Sequence, residues 1–168
     1  MFDPTILARE TVWAAVTGRP LPVPPKDIAP EWRRPGGAFV SIKKKGALRC
    51  CIGTFNPNTP SLAEEIVQNA IGSATRDWRF TPITRDELED LTFSVDVLEP
   101  PEAVSSPEEL DPKRFGIIVE AGNKRGLLLP DLEGVETVDD QMAIARKKGG
   151  IDPAEPVSLY RFRVTRYR

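Results

Sequence analysis

The stretch Leu48-Arg49-Cys50-Cys51-Ile52-Gly53 holds the densest chemistry in this chain. On an extended strand, side chains alternate between two faces. Leu48, Cys50 and Ile52 then share one face, and Arg49, Cys51 and Gly53 share the other. Cys50 reads as a small apolar core residue. Cys51 lies beside Arg49, whose charge favours the thiolate and lowers the pKa below its usual value of about 8.5. Gly53 leaves its face open, so a ligand has room to approach the backbone. A plainer role fits the same residues, because buried cysteines are common and mostly inert. A second cluster, Asp77-Trp78-Arg79-Phe80, follows an amphipathic segment. Asp and Arg on such a loop bind polar ligands. Alternatively they pair with each other and pin the loop, with Trp78 and Phe80 packing on a sheet. In the ligand reading, Arg49 and Arg79 orient an anionic group bidentately. Cys51 is then a nucleophile or redox thiol. Asp77 serves as an acid or base only if burial raises its pKa. Cys51 and Asp77 are thus the catalytic candidates, and Arg49, Gly53, Arg79 and Phe80 the ligand-binding ones.

What is missing narrows the chemistry further. The 168 residues include no His. That excludes Ser-His-Asp and Cys-His catalysis, His-ligated zinc and His-ligated haem. Two cysteines cannot supply a four-thiolate metal site. No specific metal is supported, and no cofactor is implied. A formal net charge of −2 argues against holding nucleic acid by bulk charge. Local basic features remain: Lys43-Lys44-Lys45, and Arg161, Arg163, Arg166 and Arg168 interleaved with Tyr160 and Tyr167. Such a run binds single-stranded nucleic acid, or is simply a solvated strand face or a charge-protected edge. The segment GNKRG lacks the spacing of a phosphate loop. No apolar run approaches the roughly 20 residues of a membrane span. The N-terminus shows no secretory signal, and the two cysteines are adjacent. Both features suggest a cytoplasmic protein with reduced thiols.

These residues need elements to position them. Asp3-Pro4 reads as an N-cap followed by Pro at the first helical position, opening a helix over 4–17 that stops at Gly18. Residues 19–37 carry six Pro and read as an extended strap across the surface. A hairpin is expected over 38–55. Ser61-x-x-Glu64 is a capping-box signature. It opens an amphipathic helix from Leu62 to about Arg76, with Leu62, Ile66, Ala70 and Ala74 on one stripe. Thr84-x-x-Glu87 opens a short helix through Leu91. Alternation of Phe93, Val95 and Val97 marks a strand. A second hairpin spans 115–120 and 126–129, a helix runs from about Val138 to Lys148, and a last strand carries Tyr160, Phe162 and Val164. This order predicts an α+β fold with a mostly antiparallel or mixed sheet and flanking helices. The length suits a single domain over 1–168.

Several of these segments, in this order, resemble the AMMECR family, also described as AmmeMemoRadiSam system protein A. LRCCIGTF is close to the family hallmark LRGCIGTF. IVQNAIGSA with DWRFTPIT, ELEDLTFSVDVLEPPEAV, and FGIIVEAGNKRGLLLPDL resemble its further motifs, so the likeness covers nearly the whole chain. It implies an α+β fold with a main lobe, a smaller lobe and a groove beside the hallmark. It implies no settled activity. The expectation is an enzyme, or an enzyme's partner subunit, acting on a small anionic or nucleotide-like substrate. The alternatives are a non-catalytic module docking on a Memo-like protein or a radical-SAM enzyme, or an RNA-associated protein. Arg49, Cys51, Gly53, Asp77, Arg79 and Phe80 match the family pattern. Cys50 replaces the hallmark Gly, which matters if that Gly serves a bulge or a positive φ. Trp78 replaces a usual Pro, and Val138 and Arg146 stand where a Trp and a Cys are common.

Overall fold

The computed structural model describes residues 1–168. Its chain forms two compact units, one of residues 1–98 with 165–168 and one of residues 99–164. In the first unit, the Asp3 side chain accepts from the Thr5 amide at 2.8 Å and opens α1, Pro4–Thr17. The proline-rich strap does more than cross the surface. One 3-10 turn at Pro30–Arg33 buries Trp32 in the core. There the indole meets Phe2 at 4.9 Å and Tyr167 at 5.5 Å between ring centroids.

Strands β1 (Ala38–Lys44) and β2 (Ala47–Thr54) form the expected hairpin around Lys45-Gly46, both with positive φ. They join β3 (Leu91–Leu98) and β8 (Val164–Tyr167) in the sheet order β2-β1-β3-β8, which leaves β2 on an edge. Both of β1's pairings are antiparallel. The inner face carries Ala38, Val40, Ile42, Cys50 and Val95, all almost fully buried. They share a core with Leu7, Ala8 and Val12 of α1 and with Ile66 and Ala70 of α2, Leu62–Thr75. The stretch after Thr84 is a 3-10 helix, Arg85–Asp90, closed by the expected capping box with Glu87.

The second unit has its own sheet, in the order β4-β7-β5-β6. Its strands are β4 (Glu102–Val104), β5 (Gly116–Ala121), β6 (Lys124–Leu128) and β7 (Ser158–Phe162). Helix α3, Val138–Gly149, packs on it around Ile117, Val119, Leu128 and Ala145. A Cβ at Gly126 would lie 1.7 Å from the Ala145 carbonyl oxygen, so only glycine lets helix and strand come this close. The last strand of the chain differs from expectation. It divides at Arg163, with β7 in one sheet and β8 in the other. The α+β class and the antiparallel sheets with flanking helices stand as expected.

Candidate functional site

The hallmark strand departs from simple alternation at Arg49. Ile42 pairs with Cys50 and Lys43 with Leu48, so Arg49 is the extra residue of a β-bulge. The bulge reverses the side-chain phase before it. Leu48, expected in the core, is therefore 45% exposed, while Cys50 is 1% exposed. Cys50 itself needs no positive φ; the only non-glycine residues with one are Lys45 and Asp131. Burial pushes the Cys50 thiol up to about 12, the first cause being loss of water around the thiolate.

Arg49 was expected to activate Cys51 and hold an anion. Its guanidinium is already engaged. Nε and Nη2 donate to the two oxygens of Glu87 at 2.9 and 3.1 Å. Nη1 donates to the Thr81 carbonyl at 2.9 Å and Nη2 to that of Pro82 at 3.3 Å. Lys44 Nζ adds a third cationic contact to Glu87, at 3.1 Å. The Arg49 hydrogen bond, ahead of the other causes, holds the Glu87 carboxyl well below the usual carboxylate range. Arg49 thus ties the bulge of β2 to the loop ahead of Glu87.

Cys51 is the residue on which the second cluster converges. As β2 is an edge strand, the Cys51 amide and carbonyl point away from β1 and need other partners. Asp77 Oδ2 accepts the Cys51 amide at 2.9 Å, and Arg79 Nη2 donates to the Cys51 carbonyl at 3.1 Å. Arg79 also grips Asp77, Nε on Oδ1 at 3.0 Å and Nη2 on Oδ2 at 2.8 Å. The Asp77–Arg79 pair thus stands in for one residue of a neighbouring strand and closes the edge at Cys51. The hydrogen bond from Arg79, foremost, lowers the Asp77 pKa to about 2. An acid or base role required that pKa to rise, so Asp77 is a permanent carboxylate at neutral pH.

The Cys51 thiol faces away from the core. Ser41 Oγ donates to its sulfur at 3.1 Å. Burial raises its pKa; the Ser41 hydrogen bond and the Arg79 charge oppose this without reversing it, and Asp96 and Asp77 add to it. The cation near this thiol is therefore Arg79, not Arg49. Gly53 does not leave an opening. The Phe39 ring fills the place of its side chain, where a Cβ would sit 2.1 Å from Phe39 Cγ. Phe80 is half-buried against the core with the Arg79 guanidinium 5.4 Å from its ring centroid. Trp78, expected to pack on the sheet, is 91% exposed.

Sequence reasoning missed a polar stripe on α2. Glu65, Asn69 and Ser73 recur every four residues beside the apolar stripe and are all buried. Ser73 Oγ accepts from the Ile52 amide and donates to the Val40 carbonyl, both at 2.8 Å, so a helix hydroxyl bridges the β1–β2 ladder. Asn69 Nδ2 donates to the Ala38 carbonyl at 3.0 Å and to Thr54 Oγ1 at 3.1 Å. The spacing matches, because four helical residues rise about 6 Å and two strand residues about 6.6 Å. Glu65 accepts from the Asn58 and Thr59 amides, each at 2.9 Å, and from the Thr54 hydroxyl. It orders the loop that leaves β2. The signal was there as small or polar residues one place ahead of each apolar one.

The basic run is also largely engaged. Arg166 pairs bidentately with buried Asp96 at 2.6 and 2.8 Å, and Arg161 pairs with Glu102 at 3.2 Å. Arg146 staples the loop after α3 through the carbonyls of Asp152 and Glu155, both at 2.8 Å. No group of three or more Cys, Asp or Glu side chains is placed to hold a metal ion. No helix is long and apolar enough to cross a membrane.

The AMMECR1 family model matches residues 5–168. A protein of Thermotoga maritima is 51% identical over 150 residues, covering 87% of this chain and 86% of the relative. A protein of Clostridium acetobutylicum is 48% identical over 169 residues, covering 99% of this chain but only 36% of that longer relative. The crystal structure of the uncharacterized protein PH0010 from Pyrococcus horikoshii superposes with a TM-score of 0.87 at 33% identity, covering 97% of this chain and 88% of that one.

Proposed function

We propose that this chain, which belongs to the AMMECR1 family, is a cytoplasmic, non-catalytic interaction module whose docking face is the loop 77–80 locked to the hallmark strand. The observation that carries this reading is the engagement of one catalytic candidate, Asp77, and one ligand-binding candidate, Arg49, within the fold. Both oxygens of Asp77 and the whole fork of Arg49 are spent on partners within the chain. What the locked loop offers outward is Trp78, 91% exposed, beside the half-exposed Arg79. A Trp and an Arg held on a rigid turn are the residue types that dominate binding energy at protein interfaces. The partner is the one the AmmeMemoRadiSam resemblance implies, a Memo-like protein or a radical-SAM enzyme.

The test is a calorimetric titration of the purified chain with each purified candidate partner. Trp78→Ala should weaken binding by at least about 2 kcal/mol, as for an interface anchor. Cys51→Ser should leave it unchanged. Affinity indifferent to Trp78, or absent with both partners, rejects the docking reading.

One contact favours a second reading. The Ser41 hydroxyl on the Cys51 sulfur, with Arg79 nearby, would suit thiol chemistry on a small anionic or nucleotide-like substrate held at Arg79. That reading requires Cys51→Ser to abolish the protein's genetic function while folding and partner binding persist.

A further inference from the structure

The second unit holds a concentration of positive charge that the hallmark face does not explain. Three guanidiniums surround one aromatic ring. The Cζ atoms of Arg161, Arg163 and Arg114 lie 4.4, 5.1 and 5.3 Å from the centroid of Phe115. The ring is a fixed platform. The Phe115 amide donates to the Asp111 carbonyl at 2.8 Å, and its carbonyl accepts from Gln141 Nε2 at 2.9 Å. Arg161 is anchored as well, through Glu102 at 3.2 Å and the Glu109 carbonyl at 2.8 Å. Arg114 and Arg163 differ from it. Both are exposed, and the Phe115 ring is the partner each guanidinium has. A ring face offsets only part of the mutual repulsion, about 0.5–1 kcal/mol per exposed contact.

The acidic groups nearby neutralise this cluster only in part. Glu109 turns its carboxylate to the Ser105 and Ser106 amides, at 2.7 and 3.2 Å, and to the Ser105 hydroxyl at 2.8 Å. Glu102 makes its one bond, to Arg161, with a side chain that is 66% exposed. Glu99 lines the same recess as Glu102, Phe115, Arg161 and Arg163.

We propose that Arg114, Arg161 and Arg163 form a binding site for phosphate groups around the Phe115 ring. Two unengaged planar forks and a third anchored one present more donors than a single carboxylate can accept. They fit a dianion with several terminal oxygens. The phosphate belongs either to a small phosphorylated molecule or to the backbone of a single-stranded nucleic acid. This site belongs to the second unit and the hallmark to the first, so its failure leaves the docking proposal untouched.

The experiment is isothermal titration of the full chain with pyrophosphate at low salt, and separately with a short uridine oligonucleotide. Pyrophosphate should bind. An Arg114→Gln/Arg163→Gln double variant should bind about tenfold or more weakly, each lost fork removing charge-assisted hydrogen bonds. Glu102→Gln removes a competing carboxylate and should tighten binding, a gain that misfolding cannot imitate. Tighter binding of the oligonucleotide, with log affinity falling by about 0.7 per phosphate contact against log salt, identifies the nucleic-acid source. Pyrophosphate binding without oligonucleotide binding identifies the small molecule. Absence of binding by both probes, or equal affinity in the wild type and the double variant, overturns the proposal.

Discussion

Asp77 accepts four hydrogen bonds, three of them from Arg79 and one from the edge of β2. Replacing it leaves the Cys51 amide without its acceptor and the Arg79 guanidinium with the Cys51 carbonyl alone. Asp77→Ala should therefore cost about 1–3 kcal/mol, the range for leaving a buried donor without its acceptor. Urea denaturation measures this, and a loss below about 1 kcal/mol would mean the edge lock is ornamental. The same residue sets a pH dependence. Its folded pKa, about 2, lies below the ordinary value of 3.8. A depressed carboxyl stabilises the fold above its unfolded pKa, and that stability is lost as pH falls through the folded one. The contribution from Asp77 is about 2 kcal/mol. The urea midpoint of the wild type should fall between about pH 4 and pH 2, and the drop should be smaller in Asp77→Ala. At Gly53, a methyl group would overlap the Phe39 ring. Gly53→Ala should cost about 1–3 kcal/mol, with part of the loss recovered in a Phe39→Leu background.

At the scale of elements, the hairpin and α2 are held together by polar groups rather than by apolar contact alone. Ser73→Ala removes the hydroxyl that bridges Ile52 and Val40 and should cost about 2 kcal/mol. It should also speed hydrogen exchange at the Ile52 amide; unchanged protection there would contradict the bridge. Helices α1, α2 and α3 and the hairpin were legible because their caps and periodicities are local signals. Leu48 was misplaced because a bulge at Arg49 is decided by what the guanidinium reaches across the fold, on Glu87 and the Thr81 carbonyl. The division of the last strand at Arg163 was hidden for a related reason. Alternation continues through Tyr160, Phe162 and Val164 whichever sheet each residue joins. The candidate site was legible in position but not in role. Cys51, Asp77 and Arg79 do come together, yet through the backbone of Cys51 rather than its thiol.

At the scale of the whole molecule, each unit carries its own hydrophobic core. All 3 tryptophans, Trp13, Trp32 and Trp78, lie in the unit that holds the hallmark. Tryptophan fluorescence therefore reports the unfolding of that unit alone, whereas far-UV circular dichroism reports both. Gly126→Ala forces a methyl group onto the backbone of α3 in the other unit. It should cost about 3 kcal/mol and separate the two transitions, with the dichroism midpoint falling while the fluorescence midpoint holds. Coincident transitions in this variant would show that the two cores unfold as one. The AMMECR1 fold in this chain is thus two cores, and its hallmark is a piece of edge-strand engineering in the first.

The measurement that bears most directly on this account is the alkylation rate of Cys50 and Cys51 against pH in the native protein, read separately by peptide mass spectrometry. Modification should be slow at neutral pH. Cys51 should react with an apparent pKa above that of a free cysteine, and Cys50 only on unfolding. A Cys51 that reacts fast with an apparent pKa well below about 8.5 would be an activated thiolate. That result would contradict the structural role assigned to the hallmark and return the chain to the enzymes.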